Sequence, residues 1–195
     1  TLSRETLCFE RLALAREEQV SVEGEATLPG SMRDAVTVLS VQAQAYLEDA
    51  RATAGGMTLR GHVSFQALYT QGDLTRIRAM ETTCDFEHSI DAPEIQPDMR
   101  VSASVAVQET EGTAVSGRMT LRALLDIQAE AFETTKQELV TDAAGRENGL
   151  RTRMQSVTFC RTAPLGEDKT LVREEFDLPA RLEVGDVLSA TGEAS

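Results

Sequence analysis

Apolar and polar residues alternate with a period of two through most of residues 19–129. Successive side chains of a strand point to opposite faces, so each such run offers one face to a core and the other to water. Val20, Val22, Gly24, Ala26 and Leu28 share one face, with Gln19, Ser21, Glu23, Glu25 and Thr27 on the other, until Pro29-Gly30 breaks the run. The clearest run sets Met57, Leu59, Gly61, Val63, Phe65, Ala67 and Tyr69 against Thr58, Arg60, His62, Ser64 and Gln66, which puts His62 on the solvent side. A return strand carries Ile77, then Met80, Thr82, Cys84, Phe86 and His88. Met99, Val101, Ala103, Val105 and Val107 begin a second hairpin, and Met119, Leu121, Ala123, Leu125, Ile127 and Ala129 complete it.

The punctuation between runs is short. Gly55-Gly56 and Gln71-Gly72-Asp73 read as turns, Pro93 and Pro97 bound a loop, and a turn is expected near Glu111-Gly112 and Ser116-Gly117. Neighbouring strands joined by short turns pair antiparallel, because parallel neighbours need long crossovers. In residues 35–49 the parity slips: Val36 and Val38 are followed by Leu39, Val41, Ala43, Ala45 and Leu47. An extra residue bulging out near Val38-Leu39 restores the faces. The expected fold is all-β, an antiparallel β-sandwich of long hairpins with at most one or two short helices. The best helical candidate is 135–154, where Leu150 and Met154 stand four apart, with 142–149 as a connector inside it.

The formal charge, −13 from 19 basic and 32 acidic residues, repels a phosphate backbone, so nucleic acid is not an expected partner. No apolar run approaches the ~20 residues of a membrane-spanning helix, so membrane insertion is not expected, and no signal segment opens the sequence. Aromatic residues are 4% with no Trp, which leaves Tyr46 and Tyr69 as the tyrosines available for stacking on sugars. Tyr69 is in phase with the apolar face.

Catalytic groupings are thin. Cys8, Cys84 and Cys160 are widely spaced and form neither a disulfide framework nor a zinc knuckle. They read as small buried thiols of a reducing cytosol, with a Cys8–Cys160 bridge as the alternative. Cys84 and His88, four apart on a strand, stand about 13 Å from each other, too far for a nucleophile–base hydrogen bond. If their shared face is buried, Cys84 is protected and His88 needs a hydrogen-bond partner or must stay neutral. Asp85, Glu87, Asp91 and Glu94 form the densest acidic cluster, but without the spacing of a calcium loop they read as a solvated strand face. Arg60, His62, Ser64 and Gln66 line a polar strand face, more readily plain surface than a site. No catalytic, cofactor-binding or metal-binding residue is assigned, and no enzymatic activity or cofactor is expected.

The sequence also resembles itself. ATLPGSMRDAVTVLSVQAQA, beginning at Ala26, matches FDLPARLEVGDVLSATGEAS, beginning at Phe176, with one residue deleted in the second copy. The same spacing separates Phe9 from Leu28 and Phe159 from Leu178, and Arg11 falls in register with Arg161. A period of about 150 residues means duplicated domains, not a solenoid of short repeats. The expected organisation is a full β domain at 1–140, a connector at 141–157 that is helical in one reading, and the opening strands of a second, truncated repeat at 158–195. That second copy is expected to repeat the path of residues 9–45, and to dock on the first domain or pair with its equivalent in a homodimer.

The segments VEGEATLPGSMRDAVTVLSVQAQA, MTLRGHVSFQALYTQ and CDFEHSIDAPEIQPDMRVSASVAVQETEG resemble the SPOCS domain family over roughly residues 17–140. The shared features are Leu28-Pro29 before a Val-Leu strand, Gly61 before an aliphatic run ending in Leu68-Tyr69, Phe86 on the returning strand, and Met99 opening the next. The family occurs in endospore-forming bacteria, often as tandem copies, in spore-envelope assembly proteins. It supplies no catalytic residues to carry over. The resemblance implies a non-catalytic protein-interaction or assembly module of the spore envelope, serving coat or cortex morphogenesis. Its partners would be other spore-envelope proteins, and its place the cytoplasmic, mother-cell side of the envelope. A glycan- or small-ligand-binding sandwich without catalysis is the alternative.

Overall fold

The structure, a computed structural model, describes residues 2–29, 36–72 and 76–143, together with the single positions 153, 155, 156 and 158. Six strands account for nearly all of the described chain: β1 (Leu2–Thr27), β2 (Val36–Thr53), β3 (Gly56–Gln71), β4 (Ile77–Asp91), β5 (Arg100–Val115) and β6 (Arg118–Ala143). They form two antiparallel sheets, ordered β1-β6-β5 and β2-β3-β4. The all-β sandwich expected from the alternation is the fold observed.

The inner faces follow the parity of the sequence. On β3, Met57, Leu59, Val63, Phe65, Ala67 and Tyr69 are buried; on β6, Met119, Leu121, Ala123, Leu125, Ile127, Ala129 and Ala131 face them. At about 1.5–3 kcal/mol for each fully buried large aliphatic side chain, these two central strands supply most of the hydrophobic driving force. Phe65 packs against Gly24 of β1, where an added Cβ would reach Phe65 Cε2 at 3.4 Å, so the bare backbone lets the opposed sheets meet closely. The edges of the two sheets also approach each other. Thr110 Oγ1 of β5 donates to the Val41 carbonyl of β2 at 2.9 Å, and His88 of β4 lies 2.7 Å from Glu18 of β1. Edge strands shielded in this way are poor templates for stray pairing.

The parity slip in β2 is a bulge between Val38 and Ser40, with Leu39 the extra, exposed residue. Four further irregularities were not expected from the alternation: Ala13 in β1, Glu48 in β2, Gln108 in β5 and, opposite Ser3-Arg4, Thr141 in β6. The bulge at Gln108 corrects one expectation. Glu111-Gly112 is not a turn but part of β5, because the bulge returns Thr110, Gly112 and Ala114 to the inner side. The turn lies at Ser116-Gly117, both with positive φ (51° and 81°), the region that Gly adopts without a Cβ penalty. Gly112 is required in the strand for space, since a Cβ there would meet Val41 Cγ2 at 2.5 Å.

A second correction concerns the helical candidate at 135–154. Its described part continues β6, with Thr135 paired to Phe9 and Ala143 to Leu2, so the connector expected from 141 onward begins no earlier than the strand's end at Ala143. Pairing with the long β1 outweighs a weak helical period. Beyond Phe132, the partner of Arg100, β5 no longer accompanies β6, and β1 and β6 go on as a two-stranded ribbon. The segment that closes one end of the sandwich is the loop 92–99. Its Ala92 and Ile95 are fully buried, and it is tied to the β2–β3 turn by Ala92 N–H donating to Gly55 O (2.9 Å) and Gly55 N–H to Ile95 O (3.0 Å). The proposed second repeat, with Cys160 and residues 158–195, lies outside the described residues apart from position 158.

Candidate functional site

With the inner faces committed to the core, function must sit on an outer face, an edge or a loop. The outer face of β2-β3-β4 is the richest. Its rows run across the three strands as Gln42–Gln66–Glu81, Gln44–Ser64–Thr83, Tyr46–His62–Asp85 and Asp49–Arg60–Glu87. This brings Arg60, His62, Ser64 and Gln66 together as one polar surface with the outward residues of both neighbouring strands.

At its centre Tyr46 and His62 stack, with ring centroids 5.0 Å apart and planes inclined by 27°. Tyr46 keeps 45% of its surface exposed, and its hydroxyl donates to Gln44 Oε1 at 2.6 Å. His62 is only half-exposed, less open than the alternation alone suggests, because Tyr46 covers one ring face. Its Nδ1 is 2.8 Å from Glu48 Oε1, a contact made available by the bulge at Glu48. Arg60 Nη2 donates to Glu87 Oε1 at 3.1 Å, and the Gln66 amide to Glu81 Oε1 at 3.0 Å. The Glu87 carboxylate raises the Arg60 pKa, fixing its positive charge. Alternation marked the β3 residues of this face and composition singled out Tyr46 as an available stacking ring, but the Tyr46–His62 stack and the contact from Glu48 were not expected. The available signal was Tyr46 falling on the polar parity of β2 once the Leu39 bulge is counted.

Other candidates resolve differently. Cys84 is half-buried rather than buried, because β4 is an edge strand and covers its inner face incompletely. Its Sγ donates to the Glu23 carbonyl of β1 at 3.0 Å, and burial, with the nearby Asp85 charge second, pushes the thiol above its ordinary pKa. That is the opposite of an activated nucleophile. His88 satisfies its need for a partner at Glu18 Oε2, 2.7 Å away on β1. Cys84 and His88 therefore reach to two different groups of β1, not to each other. Cys8 is exposed on the ribbon. Asp85, Glu87 and Asp91 lie on exposed positions of β4 and Glu94 in the loop, and among the described residues no three His, Cys, Asp or Glu side chains are grouped to hold a metal ion. Tyr69 is core. The outer face of the other sheet has a shallow hollow of about 430 Å³ lined by Ala15, Arg16, Glu17, Ser102, Ser104, Gln128 and Glu130 among others. No aromatic ring lines it.

Residues 34–115 match the family model described as SipL, SPOCS domain. No curated protein and no solved structure matches the chain. The matched span takes in β2, β3, β4 and β5 entire, hence the whole polar face around Tyr46 and His62, and is narrower than the span of the motif resemblance. Over residues 34–115 the chain is thus similar to the SPOCS domain family, a match that suggests a sporulation-related domain.

Proposed function

We propose that this chain is a non-catalytic protein-interaction module that serves assembly of the bacterial spore envelope, in coat or cortex morphogenesis. It acts on the cytoplasmic, mother-cell side, and other spore-envelope proteins are its partners. The observation that carries this reading is the coincidence of the SPOCS match with the strands that build the outer face of β2-β3-β4. That face combines a fixed, exposed aromatic with charged side chains held in ion pairs, the composition by which protein interfaces anchor and orient a partner. The Cys84 thiol and the His62 and His88 imidazoles support the reading as well, since each is engaged in a structural contact.

The test is affinity capture from sporulating and from vegetative cells of an endospore-forming host, with wild type and with Arg60→Glu. The expected result is a set of proteins retained from sporulating cells alone and reduced by the charge reversal. Equal recovery from both cultures would remove the reading.

A further inference from the structure

We propose that the Tyr46–His62 platform is a docking point for a protein segment bearing arginine side chains. This rests on the outer face of β2-β3-β4 being a binding surface, and adds the chemistry of what binds there. The Tyr46 ring is fixed before any partner arrives, by the hydroxyl bond to Gln44 on its own strand and by His62 beneath one ring face, itself bonded to Glu48. Its exposed surface is left for a ligand. A rigid aromatic loses little conformational entropy on binding, which is why such residues dominate interface energetics.

Charge selects the ligand. Glu48, Asp49, Glu81, Asp85 and Glu87 lie on or beside these rows, against Arg51, Arg60 and His62. Arg51 is held by Asp49 and Arg60 by Glu87, so the local cations are neutralised. Asp85, exposed in the same row as Tyr46, makes no ion pair among the described residues. Two strand spacings separate it from Tyr46, about 10 Å. A guanidinium stacked on Tyr46 and a second cation at Asp85 fit this arrangement, and the charge of −13 draws a basic segment in. A neutral sugar could stack on the ring and bond to the acids, but it gains nothing from the net negative charge.

The chain carries its own reporter. It has no Trp, and of its two tyrosines Tyr69 is buried, so changes in tyrosine emission on titration report on Tyr46. The probes are a blocked hexapeptide alternating Arg and Gly, its Glu counterpart, and tetra-N-acetylchitotetraose, added to the full chain. The Arg peptide is expected to change Tyr46 emission where the other two do not. By calorimetry Tyr46→Leu is expected to weaken the Arg peptide by about two- to five-fold. Asp85→Asn should weaken it by about two-fold, and Glu138→Gln, a charge loss on the distant ribbon, by less than either. Equal affinity in Tyr46→Leu and Glu138→Gln, or a response to the sugar alone, overturns the proposal. The capture experiment reads the broader function separately: loss of sporulation-specific capture with peptide binding intact is a failure of that function and not of this site.

Discussion

Arg100 and Glu10 form a two-point bridge across an intervening strand. Nε and Nη2 of Arg100, on β5, each donate at 2.9 Å to one oxygen of Glu10 on β1, and the guanidinium lies 4.3 Å from the centre of the Phe132 ring on β6 between them. The clasp closes the outer side of β1-β6-β5 where β5 begins and the ribbon departs. The hydrogen bond from Arg100 holds the Glu10 carboxyl below its usual pKa. A lowered folded-state pKa contributes stability above the ordinary carboxylate range, and that contribution is lost as pH falls through the lowered value. Denaturant midpoints at about pH 7 and about pH 3 should therefore differ less in Glu10→Gln than in wild type. Identical pH dependence in both proteins would show that the bridge does not form in solution.

Gly61 and Gly24 are both buried strand glycines, yet their replacement should have different consequences. A Cβ at Gly61 would collide with the Tyr46 carbonyl and lie 2.9 Å from Phe86 Cζ, whereas at Gly24 the nearest atom would be 3.4 Å away. Gly61→Ala is expected to cost about 1–3 kcal/mol through forced displacement. Gly24→Ala should stay within about 1 kcal/mol of wild type, since Ala also restricts the unfolded chain. Thermal or chemical unfolding of the two variants decides this, and equal losses would contradict the packing at Phe86.

Thiol reactivity separates the two described cysteines. In a Cys160→Ser background, exposed Cys8 should react quickly with a neutral disulfide reagent, and half-buried Cys84 slowly until denaturant is added. Because burial raises the Cys84 thiol, its rate in the native protein should climb at higher pH than its own rate in denaturant. Superimposable rate–pH profiles would place Cys84 outside the β4–β1 seam.

Ile95 should behave as a core residue although it lies in a proline-bounded loop. It is fully buried and its backbone is tied to Gly55. Ile95→Ala is expected to lose about 2–5 kcal/mol. A loss below about 0.5 kcal/mol, usual for a surface position, would mean that the loop does not close the sandwich.

What the sequence disclosed follows from how each feature is encoded. The inner faces of β3 and β6 were legible because alternation persists through them without interruption. The Leu39 bulge was legible because Val38 and Leu39 are adjacent apolar residues in an otherwise alternating run. Those at Glu48 and Gln108 were hidden, since each has an acidic neighbour, Asp49 or Glu109, and a pair of polar residues reads as an ordinary gap. Ala13 was hidden for the converse reason, between two leucines. Ile95 could not be found by period at all, because a loop has none. The candidate face was half legible: parity gave the β3 residues, but the Tyr46–His62 stack and the His88–Glu18 contact join groups distant in sequence, and only pairing and sheet packing bring them together.

Binding of a partner through the outer face of β2-β3-β4 is the core of the proposed function. It is tested most directly by a photo-crosslinking residue placed at Ser64, in the middle of that face, and in a separate chain at Ser104, on the outer face of the opposite sheet. Both chains would be expressed in sporulating cells and irradiated. A crosslinked protein adduct from the Ser64 position, absent from the Ser104 position and diminished by Tyr46→Leu, is the predicted result. Adducts from Ser104 alone, or none from Ser64, would contradict the account.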